Sequence, residues 1–107
     1  MGIFDVFKRT DINQELERYR AAPGAVLLDV RTREEYQEEG HIPGSKNLDV
    51  QNIRKARELL PDQATPLFVY CLSGARSSHA AAVLRRMGYC NVTDIGGINR
   101  YRGKVEC

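Results

Sequence analysis

The chain has 107 residues, of which 42% are hydrophobic and 28% charged, and its net charge is +2. A chain of this length buries about two-thirds of its surface on folding, enough for one core but not for two. The composition excludes a disordered chain, and the weak net charge gives no reason to expect nucleic-acid binding. We therefore expect one domain over residues 1–107. Residues 1–10 would be an N-terminal extension, whose apolar residues we expect to pack as a helical turn: Ile3, Phe4, Val6 and Phe7.

Helical and extended patterns alternate along the chain. In order, the predicted elements are a helix over residues 12–21 capped by Asp11, a strand over 25–30, a short helix from the Thr32 cap to 39, a strand over 46–48, a helix over 51–60, a strand over 67–70 ending at Cys71, a helix over 77–87 and a strand over 91–95. This alternation predicts an α/β fold with a mostly parallel central sheet covered by helices on both faces.

Cellular location is the next property that the sequence constrains. No apolar run approaches the roughly 20 residues that span a bilayer, and the N-terminus lacks the pattern of a signal peptide. We therefore expect a cytoplasmic protein with no membrane partner. Its three cysteines are odd in number and lack the CxxC spacing of a metal site, so we expect no disulfide framework and no metal: Cys71, Cys90 and Cys107.

Of these cysteines, only Cys71 has a setting that points to chemistry, within the stretch YCLSGARS at residues 70–77. The predicted strand brings it to the carboxyl edge of the sheet, where open α/β folds bind ligands. The loop after it enters a helix, whose N-terminus carries positive partial charge. Gly74 gives the loop backbone freedom and Arg76 adds a cation. These features predict a cradle for an anion that also favours the thiolate of Cys71.

Three motifs in order resemble the rhodanese-like family of sulfurtransferases, from about residue 11 to residue 103. The first comprises Leu28-Asp29-Val30-Arg31, Glu35-Tyr36 and the stretch from Gly40 to Asn47. The second is the loop at residues 71–77, and the third is Gly96-Gly97-Ile98, followed by Tyr101 and Gly103. The resemblance implies a three-layer sandwich.

The resemblance also implies a mechanism. Cys71 would take a sulfane sulfur from a small anionic donor such as thiosulfate, and the resulting persulfide would pass it to cyanide, a thiol or a protein cysteine. No metal or organic cofactor is implied. The residues expected to bind the substrate follow Cys71 directly: Leu72, Ser73, Gly74, Ala75, Arg76 and Ser77. Because Arg76 is the only basic residue of this loop, a persulfide or polysulfide donor fits as well as thiosulfate.

Four residues of the first motif are expected to be structural: Asp29, Arg31, Glu35 and His41. Charges that follow a buried strand need partners. We expect Arg31 to pair with Glu35, and Asp29 to accept hydrogen bonds from the turn at residues 40–44. The resemblance makes His41 a structural part of that turn rather than a general base.

Two alternatives differ in class from a sulfurtransferase. A cysteine phosphatase or arsenate reductase uses a similar cradle, but holds five residues between cysteine and arginine, whereas here four separate Cys71 from Arg76. The second alternative is a persulfide carrier or sensing module without turnover, since so small a domain leaves its loop open to other proteins.

Overall fold

The computed structural model describes residues 10–107, and the predicted N-terminal turn lies outside them. Its centre is a sheet of four parallel strands in the order β2-β1-β3-β4. The strands are β1 (Val26–Asp29), β2 (Lys46–Asn47), β3 (Leu67–Cys71) and β4 (Val92–Gly97). The predicted parallel sheet is therefore confirmed. The main difference is that β4 continues to Gly97 instead of ending at residue 95.

Helices connect these strands. They are α1 (Ile12–Ala21), α2 (Arg33–Glu38), α3 (Ala56–Leu59) and α4 (Ala75–Arg86), with 3₁₀-helices at Val50–Lys55 and Ile98–Arg100. The side chains of Asp11 and Thr32 cap α1 and α2, as predicted. Helix α4 begins at Ala75, two residues earlier than expected.

The prediction of one helix over residues 51–60 was wrong. The segment is a 3₁₀-helix followed by the single turn of α3. Asp49 caps its start by accepting a hydrogen bond from the backbone of Gln51. Asn52 has φ −113° and ψ 21°, outside the helical region, so the chain does not continue as a regular α-helix from there.

The sheet separates two hydrophobic clusters, because successive side chains of a strand point to opposite faces. On one face, Leu27 and Phe68 pack with residues of α1. On the other, Leu28 and Val69 pack with residues of α3, α4 and the first 3₁₀-helix, and Cys71 belongs to this second cluster. Helices thus cover both faces, as predicted, and Cys71 ends β3 on the face that α4 covers. Within residues 10–107, the helices are too short or too polar to cross a membrane.

Candidate active site

The loop after β3 wraps the sulfur of Cys71. The residue is buried, with 1% of its surface exposed, and its Sγ accepts a hydrogen bond of 3.0 Å from the backbone N–H of Gly74. Gly74 immediately precedes α4 and has φ +112°, a conformation that side chains with a Cβ rarely adopt. The sulfur therefore lies beside the N-terminus of α4, where partial positive charge stabilises an anion.

Ser77, in the first turn of α4, connects Cys71 to the neighbouring strand. Its fully buried Oγ lies 3.5 Å from Cys71 Sγ and 2.8 Å from Asp94 Oδ1. The same Asp94 oxygen accepts the backbone N–H of Gly96 at 3.0 Å. Our sequence analysis missed Asp94. It precedes Ile95, which points toward α1, so strand alternation places it on the opposite face with Cys71.

The end of β4 supports the loop from behind. The backbone N–H of Asn99 donates to the carbonyl of Leu72 at 3.1 Å. A Cβ on Gly97 would lie 2.3 Å from the Leu72 oxygen and 2.6 Å from the Cα of Ser73, distances that no real contact reaches. The Gly-Gly-Ile motif thus has a physical reason: only glycine lets the loop lie this close to the end of β4.

The guanidinium of Arg76 pairs with the carboxylate of Glu35 instead of pointing into the loop around Cys71. Its Nη1 and Nη2 donate to the two carboxylate oxygens of Glu35 at 2.6 and 3.0 Å. Glu35 also accepts hydrogen bonds from the backbone and hydroxyl of Thr32. The hydrogen bond from Arg76 is the main cause that lowers the pKa of Glu35 to about 2, and it raises the pKa of Arg76 in turn.

The expected pair between Arg31 and Glu35 was therefore wrong. Arg31 bonds instead to Asp29, with Nη2 2.7 Å and Nε 3.0 Å from its carboxylate oxygens, and both residues are buried. Asp29 accepts from Arg31 and not, as expected, from the turn at residues 40–44. It is Arg31 that reaches the turn, donating to the carbonyl of Gly40 at 2.8 Å.

His41 lies in that turn and has structural contacts. Its ring stacks on Tyr36 with centroids 3.6 Å apart, and its Nδ1 is 2.8 Å from the Tyr36 carbonyl. Its backbone pairs with Glu106 in both directions. The turn itself is tied to the sheet, because Tyr70 accepts the backbone N–H of Ile42 through its hydroxyl.

The remaining chemistry-bearing groups lie elsewhere. Cys90 and Cys107 are exposed, and all three cysteines are free. In the described part of the chain, no three His, Cys, Asp or Glu residues cluster as metal ligands would. A groove of about 360 Å³ adjoins the loop, lined by Thr10, Ser73, Gly96, Gly97 and Arg100.

The structure is an α/β fold with a parallel sheet, in which a cysteine at the end of a central strand is followed by a loop that leads into the N-terminus of a helix. Residues 12–104 match the family model of the rhodanese-like domain, so this chain belongs to the rhodanese-like family. Thiosulfate sulfurtransferase PspE of Escherichia coli is 35% identical over 72 residues, which are 66% of this chain and 68% of that protein.

Solved structures agree with this assignment. A rhodanese with anions from Escherichia coli has a TM-score of 0.68 and 30% identity, covering 75% of this chain and 94% of its own. The human single-domain sulfurtransferase TSTD1 has a TM-score of 0.70 and 28% identity, covering 82% and 89%. The chain is thus a rhodanese-like domain with thiosulfate sulfurtransferases among its relatives.

Proposed function

We propose that this protein is a sulfurtransferase of the thiosulfate sulfurtransferase type, which carries a sulfane sulfur as a persulfide on Cys71. One observation carries the proposal: the Cys71 sulfur is buried at the base of a loop whose Gly74 N–H points at it from 3.0 Å. That geometry stabilises negative charge on the sulfur and so supports a nucleophilic thiolate. A reducing cytoplasm would keep Cys71 as the free thiol that the reaction needs.

The reaction has two displacement steps. In the first, the thiolate of Cys71 attacks the outer sulfur of the donor, the donor's S–S bond breaks, and sulfite leaves with the electron pair when the donor is thiosulfate. In the second, an acceptor thiolate or cyanide attacks the terminal sulfur and the Cys71 thiolate leaves. The backbone amides of residues 72–77 would hold the anionic terminal sulfur between the steps.

The loop's charge bears on the choice of donor. Arg76 is its only basic residue, and both of its donor nitrogens bond to Glu35. A compensated cation attracts a dianion such as thiosulfate less than a free one does. We therefore infer that a persulfide donor serves this loop at least as well as thiosulfate.

A persulfide carrier is the second candidate, and the exposure of Leu72 favours it. This apolar residue follows Cys71 directly, yet 41% of its surface is exposed. An exposed apolar side chain beside the reactive sulfur suits contact with another protein that receives the sulfur. A carrier would pass its sulfur to such a protein and would not turn over with small acceptors.

Steady-state turnover separates these candidates. The assay measures thiocyanate formed from cyanide with thiosulfate or glutathione persulfide as donor, using wild type, Cys71→Ser and Cys90→Ser. An enzyme gives many turnovers that Cys71→Ser abolishes and Cys90→Ser leaves intact. One turnover at most indicates the carrier, and activity that survives Cys71→Ser contradicts both candidates.

The same assay tests the inference on donors. Glu35→Gln removes the charge that compensates Arg76, so we expect the KM for thiosulfate to fall about threefold or more, with a smaller change for glutathione persulfide. Glu34→Gln is the matched control, because Glu34 is exposed on the same helix. An unchanged KM for thiosulfate in Glu35→Gln would show that the ion pair does not govern donor choice.

A further inference from the structure

The buried hydroxyl of Ser77 lies between a nucleophile and a carboxylate. Its Oγ is 3.5 Å from Cys71 Sγ and 2.8 Å from Asp94 Oδ1. Because Ser77 is fully buried, bulk water does not compete for these contacts. A hydroxyl has one proton to donate, so it serves either the sulfur or the carboxylate at any moment.

While Cys71 is a thiol, Asp94 is the better acceptor for that proton. The contact is short, and hydrogen bonds to a charged acceptor are about twice as strong as neutral ones. The other acceptors in reach are uncharged carbonyls at longer distances, those of Gly74 at 3.1 Å and Gly96 at 3.4 Å. With its proton directed to Asp94, the Ser77 oxygen presents lone pairs to Cys71 and accepts its S–H.

The thiolate needs a different arrangement. A thiolate only accepts hydrogen bonds, so the Ser77 hydroxyl must turn away from Asp94 to donate to the sulfur. Asp94 then keeps the Gly96 N–H as its partner at this oxygen. The negative charge of Asp94 also opposes a second negative charge on the neighbouring sulfur.

Two pairs of charged groups near the loop offset each other, while Arg100 lines the groove beside Ser73. Arg76 favours the thiolate, but Glu35 compensates it from α2. At the end of β1, Asp29 and Arg31 form a pair that is neutral as a whole. Among the residues that the structure describes, Asp94 is the carboxylate joined to Cys71 through one hydrogen-bonded group.

We propose that Asp94 is a positioning residue that acts through the Ser77 hydroxyl to favour the thiol form of Cys71, and so opposes the Gly74 N–H and the N-terminus of α4, which favour the thiolate. The inference rests on the proposed function in one respect, that Cys71 is the nucleophile. Asp94 then sets the fraction of thiolate present at a given pH, and ionisation requires Ser77 to rotate. Since the thiolate is the form that oxidants attack, the same device protects the unloaded enzyme.

Titration of Cys71 as the sole thiol tests this proposal. The full chain with Cys90→Ser and Cys107→Ser is titrated by the ultraviolet absorbance of the thiolate and by its rate of alkylation with iodoacetamide. We expect Asp94→Asn to lower the ionisation midpoint by about one pH unit, which is about tenfold more thiolate below the midpoint. Asp62→Asn is the matched control: Asp62 is exposed before β3, at the opposite edge of the sheet, and should leave the midpoint unchanged.

The route through Ser77 is tested by a second background. In Ser77→Ala, we expect Asp94→Asn to shift the midpoint by less than half as much, because no hydroxyl remains to be held. An equal shift in both backgrounds would leave only the direct effect of charge and overturn the proposal. So would an unchanged midpoint in Asp94→Asn alone.

An infrared measurement keeps the test decisive even where Ser77→Ala does not fold. The S–H stretching band of Cys71 is recorded in the sole-thiol protein at a pH below the midpoint. We expect it at higher wavenumber in Asp94→Asn, because the Ser77 oxygen becomes a weaker acceptor; an unmoved band contradicts the proposal. None of these measurements uses a sulfur donor, so Cys71 that still takes up sulfur would preserve the proposed function if the inference failed.

Discussion

Strands β1 and β3 are neighbours and end at the same edge of the sheet, but their ends are built in opposite ways. At the end of β1, the fully buried Asp29 carboxylate bonds to the backbone and guanidinium of Arg31. At the end of β3, Cys71 receives a backbone N–H from Gly74 and a contact from Ser77, and within residues 10–107 no cation bonds to its sulfur.

The comparison shows that one strand end at this edge stabilises the fold, whereas the neighbouring strand end is suited to chemistry. A buried ion pair is locked, because each partner loses its water and needs the other. A sulfur that accepts a backbone N–H beside a helix N-terminus keeps a favourable site for negative charge, so it is free to form and release a bond. Of the charges near the sulfur, Arg76 is compensated by Glu35, whereas Asp94 bonds to the Ser77 hydroxyl.

The largest expected effect comes from breaking the Asp29–Arg31 ion pair at the end of β1. Arg31→Met leaves Asp29 buried without a partner, and we expect the free energy of unfolding to fall by about 3–5 kcal/mol. Urea denaturation followed by circular dichroism measures this loss. Arg33→Met is the control, since Arg33 is exposed in the first turn of α2 and should change stability by less than about 0.5 kcal/mol. A loss below about 1 kcal/mol in Arg31→Met would contradict the structural role of the pair.

A smaller effect is expected where β4 contacts the loop that follows β3. Gly97→Ala places a methyl group 2.3 Å from the Leu72 carbonyl, so the loop must move. We expect a stability loss of about 1–3 kcal/mol and at least a tenfold loss of kcat/KM in thiocyanate formation. Gly24→Ala is the control: a Cβ there meets nothing within 4 Å, so its cost comes from the positive φ of +73° alone, whereas Gly97 has φ −119° and its cost comes from the contact. The control should lose about 1 kcal/mol and no activity per folded molecule; equal activity losses in both variants would remove the loop contact from the account.

The Glu35–Arg76 pair gives the smallest of these effects, and it depends on pH. The pKa of Glu35 is lowered to about 2 in the folded protein from an ordinary 4.5, so its stabilising contribution is present above pH 4.5 and is lost as the pH falls toward 2. Because Arg76 is partly exposed, we expect this contribution to be about 1 kcal/mol. Urea midpoints of wild type, Glu35→Gln and Glu34→Gln at pH 6 and pH 3 measure it. Wild type and Glu34→Gln should lose more stability over that range than Glu35→Gln; equal losses would show that the pair stabilises nothing.

Much of the fold follows from local patterns. The apolar runs at β1 and β3 and the helical spacing in α1 and α4 depend on residues close in sequence, and these elements lie within two residues of their predicted bounds. The helix over residues 51–60 fails for a local reason as well, the cap at Asp49 and the non-helical backbone of Asn52. The strand pattern does not reveal that β4 runs on through Gly96 to Gly97, because glycines predict turns more often than strands.

In the candidate site too, the features that depend on neighbouring residues were predictable and the contacts between distant residues were not. The position of Cys71 at the end of a strand and before a helix follows from sequence, as does the need for Gly74. The partners of charged side chains do not, because Glu35 and Arg76 are 41 positions apart and meet only when α2 and α4 pack beside the same strand ends. The position of Asp94 could have been inferred from the sequence. Asp94 and the buried Ile95 point to opposite faces of the sheet, and because helices cover both faces, the Asp94 carboxylate faces inward and requires a polar partner.

The central claim is that Cys71, at the end of β3, carries the reactive sulfur. Intact-mass spectrometry with peptide mapping tests it most directly, after incubation of the full chain with thiosulfate or glutathione persulfide. The account predicts a gain of one sulfur atom on Cys71, removed by cyanide, absent in Cys71→Ser and retained in Cys90→Ser and Cys107→Ser. A wild-type protein that gains no sulfur from either donor, or gains it on another cysteine, would contradict it.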